Sequence, residues 1–180
     1  PVPDLVADEI RCDLSGTRFV VRASPRARAL GAPDMASHEI PLLGRTNVAN
    51  ALTAYAAGLA LNLPEGLLRE TLARAKPVPG RFEIVPSSAP FRVAVDYAHT
   101  PDALARLIET GRTLSPRRLL LVFGCGGDRD PQKRPIMGRI AAEGADRVFA
   151  TSDNPRTENP EKILDGIFDG IPAPARARVT

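Results

Sequence analysis

The spacing of hydrophobic and polar residues in the first third of the chain is typical of short β-strands. Strands are predicted at residues 9–14 and 17–22, with Ser15-Gly16 as the hairpin turn between them. A third strand is predicted at residues 38–43, where Gly44 ends it. The stretch 24–36 is rich in Pro, Ala, Gly and Arg and is predicted as a loop.

The period then changes to that of a helix. Apolar side chains recur at three- and four-residue spacing and predict an amphipathic helix that contains Val48, Leu52, Tyr55, Leu59 and Leu63. A second helix is predicted at residues 65–75, behind Pro64, and the Pro- and Gly-containing segment 76–80 ends it.

From residue 91 onward, strands and helices alternate. Strands are predicted at 92–96, 118–123 and 147–151, and helices at 101–111, 134–143 and 161–168. This alternation predicts an α/β fold with a parallel sheet and right-handed crossovers. A domain boundary is predicted in the Pro- and Ser-rich segment 86–90, and residues 178–180 have the pattern of a further strand that is beginning.

Composition narrows the classes of protein to consider. Apolar residues make up 43% of the chain and the net charge is only +3, with basic residues spread along the sequence. No basic run with interleaved aromatic residues occurs, so nucleic-acid binding is not expected. The two cysteines have no disulfide or metal-site pattern. With no long apolar segment and no visible signal peptide, we expect a cytoplasmic protein without a membrane partner.

Polar clusters follow three of the predicted strands, at residues 96–101, 124–130 and 153–156. In a doubly wound sheet, such strand ends lie on one edge, where ligands bind. The glycines of the second cluster allow a ligand to approach the backbone closely. Together the three clusters predict a ligand site.

The third cluster has the chemistry to bind an amino acid. Asp153 can hold an ammonium group, Asn154 can donate and accept, and Arg156 can bind a carboxylate through two parallel bonds. Pro155 fixes its own φ and restricts Asn154. The alternative interpretation is a plain Asn-Pro turn that precedes a helix.

Five ordered motifs resemble those of the Mur ligases, across nearly the whole chain from about residue 9 to 170. They are Gly-Arg-Thr-Asn-Val-Ala-Asn at 44–50, Pro-Gly-Arg at 79–81, Val-Asp-Tyr-Ala-His-Thr-Pro-Asp-Ala-Leu at 95–104, Phe-Gly-Cys-Gly-Gly-Asp-Arg-Asp at 123–130 and Asp-Asn-Pro-Arg-Thr-Glu at 153–158. One departure is Thr46, where the family commonly has Phe.

The resemblance implies an ATP-dependent amide ligase of peptidoglycan precursor synthesis, and so of cell-wall biogenesis, cell shape and cell division. Its substrates would be meso-diaminopimelate and UDP-N-acetylmuramoyl-L-alanyl-D-glutamate, because the Asp-Asn-Pro-Arg form resembles that of the diaminopimelate-adding members. ATP and Mg²⁺ would be required.

The resemblance also implies that the chain is a fragment. Residues 1–86 would be the back half of a Mur-ligase central ATPase domain, and residues 91–180 the first part of a truncated Rossmann-like C-terminal domain. A Gly-Lys-Thr phosphate-binding loop does not occur in the sequence. We expect that loop, the UDP-sugar domain, the Mg²⁺ ligands and a carbamylated lysine upstream, so no metal ligand and no catalytic residue is assigned here.

Site residues follow from the resemblance, position by position. The residues implied to bind ATP are Asn47, Asn50, Arg81, His99 and Asp128. Those implied to bind meso-diaminopimelate are Arg129, Asp153, Asn154, Pro155 and Arg156.

Simpler interpretations stay open for several of these residues. Asn47 could be an N-cap, His99 a turn residue bonded to backbone, and Arg81 and Arg129 members of salt bridges. Two further interpretations concern their neighbours: Cys125 as a small packing residue, and Arg134 as part of a solvated helix start.

Two other functions stay open for the chain as a whole. One is a folylpolyglutamate-synthetase-like ligase, which would share the fold and the use of ATP but add glutamate. The other is a nucleotide-binding module without catalysis, which the missing phosphate-binding loop favours for the isolated fragment.

Overall fold

The computed structural model describes residues 3–180 and divides them into two compact units, one ending at Val95 and one beginning at Asp96. The predicted first domain starts at residue 1, and residues 1 and 2 lie outside the described part. We call the two units unit 1 and unit 2.

The first three strands of unit 1 form an antiparallel sheet in sequential order, made of β1 (Leu5–Asp13), β2 (Gly16–Ala23) and β3 (Met35–Ile40). The three predicted strands are confirmed, with shifted ends. Asp13 pairs with Gly16, so the hairpin turn consists of Leu14 and Ser15, one residue earlier than predicted.

The predicted loop at 24–36 is wrong for part of its length. Helix α1 (Pro25–Ala29) lies there, and β3 already begins at Met35. The Oγ atom of Ser24 accepts a hydrogen bond from the Ala27 N–H at 3.2 Å, and Pro25 occupies the first helical position. A Ser-Pro pair is a helix start signal, and Ala27 is buried in the core, which stabilises so short a helix.

Helices α2 (Arg45–Ala60) and α3 (Glu65–Ala73) confirm the two predicted helices. Leu63 lies beyond the end of α2 and is exposed, and α3 ends at Ala73 rather than at residue 75, so the predicted ends are wrong. Val48 and Ala51 of α2 pack on the sheet, and Tyr55 and Leu59 pack with Leu68 of α3. The two buried clusters therefore form on one face of α2.

A short hairpin completes unit 1. Strand β4 (Glu83–Val85) pairs antiparallel with β5 (Val93–Val95). The predicted strand at 92–96 is confirmed as a strand, but within the described residues its partner is β4 rather than a strand of the parallel sheet. The predicted boundary segment, 86–90, is the loop of this hairpin, and the two units divide after Val95.

Unit 2 has the predicted α/β alternation. Its elements are α4 (Pro101–Thr113), β6 (Leu120–Phe123), α5 (Lys133–Gly144), β7 (Arg147–Ala150), α6 (Pro160–Phe168) and a 3₁₀ helix (Ala173–Arg178). Strands β6 and β7 are parallel, and Val179 bridges to Val148 in parallel, as the strand pattern at 178–180 predicts. The 3₁₀ helix was not predicted.

The core of unit 2 lies between these strands and the helices. Leu104 and Ile108 of α4, Met137 of α5, Val148 of β7 and Ile167 of α6 are buried together. The carboxyl ends of β6 and β7 are thereby held side by side. None of the helices in residues 3–180 is both long enough and apolar enough to cross a membrane.

Candidate functional site

Two loops meet where the parallel strands of unit 2 end. The glycine loop, residues 124–130, follows β6, and the Asn-Pro loop, residues 153–158, follows β7. The Gly127 N–H donates to the carbonyl oxygen of Asn154 at 2.8 Å. Adjacent parallel strands send their following loops to one sheet edge, so two of the three predicted polar clusters are in direct contact.

Glycine is required where these loops touch. A Cβ at Gly127 would overlap the carbonyl oxygen of Pro155, and one at Gly124 would overlap the carbonyl oxygen of Thr151. Because both obstacles are backbone atoms, no side-chain rotation could relieve the overlap. The glycines thus serve the packing of one loop on the other.

Arg156 is held by both loops. Its backbone N–H donates to Asn154 Oδ1 at 3.2 Å, and its Nη1 donates to the Gly127 carbonyl oxygen at 2.8 Å. Its φ of 50° lies in the left-handed region that non-glycine residues seldom adopt. A guanidinium has five N–H donors, so the bond to Gly127 leaves several for a ligand at this exposed position.

Asp128 joins the same contact. Its carboxylate accepts hydrogen bonds from the Thr157 Oγ1 at 2.8 Å and the Thr157 N–H at 3.2 Å. These bonds from Thr157 hold the pKa of the Asp128 carboxyl below its ordinary value. Arg129 donates from Nη1 to the carbonyl oxygen of Asp128 at 2.9 Å. Both oxygens of Asp128 are thus used within the loops, and its contact with ribose stays a prediction.

An ion pair that was not predicted lies beneath these loops. Arg134, in the first turn of α5, donates from Nη2 to both carboxylate oxygens of Glu158, at 2.8 and 2.9 Å. Arg134 is only 5% exposed, and its Nε is buried without a hydrogen-bond partner. The interpretation of Arg134 as part of a solvated helix start is therefore wrong, because α5 turns this side chain toward the loop that follows β7.

The ion pair also shifts the acidity of its carboxyl group. The hydrogen bond from Arg134, followed by the one from the Asp128 N–H, holds the pKa of Glu158 below its ordinary value. Glu158 is the last residue of the Asp-Asn-Pro-Arg-Thr-Glu motif, but its partner Arg134 lies far from it in the sequence. The β6–β7 pairing is the feature that brings the two together.

The polar cluster at residues 96–101 also lies in unit 2. The His99 ring contacts the Tyr97 ring at 4.9 Å between centroids, and its Nδ1 is 3.0 Å from the Tyr97 carbonyl oxygen. The carbonyl oxygen of His99 accepts a hydrogen bond from Lys133 Nζ at 2.8 Å. The backbone contact agrees with the simpler interpretation of His99, and its nucleotide role stays a prediction.

The remaining predicted ATP-binding residues lie in unit 1. Asn50 donates from Nδ2 to Asn47 Oδ1 at 3.3 Å, so the two amides share one face at the start of α2. Asn47 donates to the Leu43 carbonyl oxygen at 2.8 Å, while Gly44 is the N-cap residue, so the N-cap interpretation of Asn47 is wrong. Arg81 is exposed in the turn between α3 and β4.

Cys125 is buried in the core of unit 2. Cys125 is 2% exposed, and its Sγ is 3.8 Å from the Met137 Sδ. Burial raises the pKa of its thiol, which confirms a packing role over that of a reactive nucleophile. Among residues 3–180, no group of three or more His, Cys, Asp or Glu side chains is placed to hold a metal ion.

Known proteins match the chain over most of its length. The model of the glutamate ligase domain of the Mur ligases matches residues 80–179. The UDP-N-acetylmuramoyl-L-alanyl-D-glutamate–2,6-diaminopimelate ligase of Syntrophomonas wolfei is 41% identical over 97% of this chain and 34% of its own length. The ligase of the same name from Gloeobacter violaceus is 55% identical over 73% of this chain and 27% of its own length.

Solved structures agree with these relatives. A diaminopimelate ligase structure of the same name is 35% identical and has a TM-score of 0.59, over 95% of this chain and 33% of that one. A folylpolyglutamate synthase from Mycobacterium tuberculosis has a TM-score of 0.74 at 22% identity, over 98% of this chain and 37% of that one, which shows a shared fold. The chain spans about a third of the length of the curated relatives it matches. On the match of the family model, the chain belongs to the Mur ligase family.

Proposed function

We propose that this chain is part of an ATP-dependent ligase that adds meso-diaminopimelate to UDP-N-acetylmuramoyl-L-alanyl-D-glutamate in the cytoplasm. The observation that carries the proposal is the hydrogen-bonded contact between the glycine loop and the Asn-Pro loop, which places Arg156 at the end of two parallel strands. The relatives that bear the name of this ligase support it, at 41–55% identity.

The Asn-Pro loop would bind one zwitterionic end of diaminopimelate. The Arg156 guanidinium binds the carboxylate, the Asp153 carboxylate binds the ammonium group, and the Asn154 amide completes the contact. Arg129 lies in the adjacent loop and adds positive charge for the same substrate. Lysine lacks the second carboxylate, so a site built around Arg156 would leave a desolvated guanidinium unpaired and reject lysine.

The reaction would form an amide from an activated carboxylate. ATP transfers its γ-phosphoryl group to the side-chain carboxylate of the acceptor glutamate. The amine of diaminopimelate attacks the acyl phosphate, and the tetrahedral intermediate collapses to the amide as phosphate leaves and the amine loses a proton. The part played by unit 2 is to hold the amine in position for attack. Mg²⁺, where bound, supplies charge neutralisation to the phosphates.

The proposal also includes residues that bind the nucleotide. Those proposed to contact ATP are Asn47, Asn50, Arg81, His99 and Asp128. The side-by-side amides of Asn47 and Asn50 support a polar contact at the start of α2.

The test is an assay of the full-length protein that contains this chain. With ATP, Mg²⁺ and the UDP-linked dipeptide acceptor, meso-diaminopimelate should stimulate phosphate release and yield the UDP-linked tripeptide, measured by mass spectrometry. Lysine in its place should give a much lower kcat/KM. Phosphate release that depends on glutamate and a folate acceptor instead would refute the proposal in favour of a folylpolyglutamate-synthetase-like ligase.

A further inference from the structure

The Gly127–Asp128 peptide group is held at both ends. Its carbonyl oxygen accepts the hydrogen bond from Arg156 Nη1 at 2.8 Å. Its N–H donates to Glu158 Oε1 at 2.6 Å. A peptide group is planar, so the direction of the N–H sets the direction of the carbonyl. Whatever orients Glu158 therefore also orients the acceptor that holds the Arg156 guanidinium.

Arg134 is the group that orients Glu158. Its Nη2 lies within 2.9 Å of both carboxylate oxygens, and its side chain is 7% exposed against 32% for that of Glu158. The Arg134 side chain also packs against Gly166 of α6, where an added Cβ would lie 3.2 Å from its Cδ. Burial and packing therefore hold the Arg134 guanidinium in place. The Glu158 carboxylate bridges this guanidinium and the N–H of the peptide group.

The backbone on either side supports the same arrangement. Asp128 and Arg156 have φ values of 52° and 50°, a conformation that costs non-glycine residues free energy. Thr157 bonds to the Asp128 carboxylate and so stabilises both loops in this conformation. The Glu158 carboxylate of the ion pair bonds to the N–H of this peptide group, opposite the carbonyl that Arg156 contacts.

We propose that Arg134 and Glu158 are positioning residues, which set the orientation of the Arg156 guanidinium through the Gly127–Asp128 peptide group and thereby the preference for a dicarboxylic diamino acid. This inference depends on the proposed function, because it takes Arg156 as the group that binds the substrate carboxylate. Arg134 and Glu158 themselves do not contact the substrate.

The test compares three variants of the full-length protein: Glu158→Gln, Arg156→Ala and the double variant. Glu158→Gln keeps an acceptor for the Asp128 N–H but removes the charge that Arg134 holds. We expect it to raise the KM for meso-diaminopimelate by about tenfold, the scale on which misplacement of a binding group is felt, while the KM for ATP stays within about twofold. Because Glu158 acts through Arg156, the double variant should bind diaminopimelate no worse than Arg156→Ala alone.

A matched control breaks an ion pair elsewhere in unit 2. Arg106→Gln removes the exposed Arg106–Asp102 pair of α4, and should leave both KM values unchanged. If Glu158→Gln does not fold, Glu158→Asp replaces it, since aspartate keeps the charge but has a shorter side chain. The double variant with Arg156→Ala should again bind diaminopimelate no worse than Arg156→Ala alone.

The outcomes separate the two proposals. An unchanged KM for diaminopimelate in Glu158→Gln, or additive effects in the double variant, would overturn the positioning role while Arg156 keeps its own. If the wild-type protein does not use diaminopimelate, or if Arg156→Ala has no effect, the proposed function fails first.

Discussion

Arg156 combines an observed structural contact with a proposed role in substrate recognition. Its Nη1 donates to the Gly127 carbonyl oxygen of the glycine loop. The other guanidinium nitrogens are proposed to bind a carboxylate. We predict that Arg156→Ala in the full-length protein raises the KM for meso-diaminopimelate much more than that for ATP. The loss should be on the order of 2–3 kcal/mol, or roughly 30- to 150-fold, the scale of a charge-assisted hydrogen-bonded pair.

Arg156→Lys is the matched control for that substitution. Both variants have the same left-handed backbone strain at this position, so a difference between them reports on the side chain alone. Lysine keeps the charge but cannot form two parallel bonds, so its KM for diaminopimelate should lie between those of the wild type and Arg156→Ala. Steady-state kinetics decide the matter: an equal rise in both KM values would remove Arg156 from substrate recognition.

The burial of His38 is expected to make unit 1 less stable in acid. It is 4% exposed, its Nε2 has no hydrogen-bond partner, and its ring lies between those of Phe19 and Tyr55 at 5.5 and 5.0 Å. Burial lowers the pKa of His38 below 6.5, Glu65 opposes this, and Arg69 adds to it. Below about pH 6.5 the unfolded chain therefore binds a proton that the folded chain does not, and stability falls.

We predict a lower free energy of unfolding for this chain at pH 5.5 than at pH 7.5, by at most about 1.4 kcal/mol per pH unit below 6.5. Urea unfolding followed by circular dichroism measures it. His38→Phe should abolish most of the difference, and His99→Gln should keep it because His99 is exposed. Equal pH dependence in the wild type and His38→Phe would contradict the assignment.

At the residue scale, the polar residues that directly follow predicted strands are the ones whose proximity the sequence predicts. Asp128, Asn154 and Arg156 follow predicted strands, and the structure brings them together at one sheet edge. The sequence does not indicate that Arg134 and Glu158 form a pair, because their contact joins the first turn of α5 to the Asn-Pro loop that follows β7. Charged residues near helix starts are usually solvated, so only tertiary structure distinguishes this buried pair.

At the scale of elements, the glycine loop and the Asn-Pro loop behave as one structural feature. We predict that Gly127→Ala destabilises this chain by about 1–3 kcal/mol, because the added Cβ overlaps the Pro155 carbonyl oxygen and forces the loops apart. Thermal unfolding by circular dichroism measures the change.

Gly66→Ala is the control for this substitution. Gly66 lies in α3 with nothing near its missing Cβ, so alanine should leave stability unchanged or raise it by about 0.5–1 kcal/mol. A Gly127→Ala chain as stable as the wild type would show that the two loops can separate without cost.

The predicted elements with strong periodicity are those that the structure confirms. Four of the five apolar positions predicted for the first helix lie in α2. These positions and the strand–helix alternation after residue 91 reflect burial of one face, a pattern that is visible in the sequence. Helix α1 and strand β4 are five and three residues long, too short to show a period. The partner of β5 was also unpredictable, because pairing depends on β4.

At the scale of the whole molecule, the chain has the loops proposed to bind the amino-acid substrate, and its sequence contains no recognisable phosphate-binding loop. No Gly-Lys pair occurs in the sequence, and the curated relatives are about three times as long as the segment they share with it. Phosphoryl transfer needs backbone N–H groups and a lysine around the β- and γ-phosphates. The loops of unit 2 are proposed to position the amino acid, and phosphoryl transfer would need that cradle in addition.

We therefore predict that this 180-residue chain alone does not catalyse the ligation. Purified chain, ATP, Mg²⁺, the UDP-linked dipeptide and meso-diaminopimelate should release phosphate no faster than a control without protein, while the full-length protein turns over under the same conditions. Diaminopimelate-dependent release above that control would contradict the prediction. Arg156→Ala in the same chain then identifies the source: at limiting diaminopimelate the rate should fall as the higher KM requires, whereas a contaminating ligase would give the same rate in both preparations. Either result assigns the origin of phosphate release, because the substitution alters the proposed binding group and leaves the nucleotide-side residues in place.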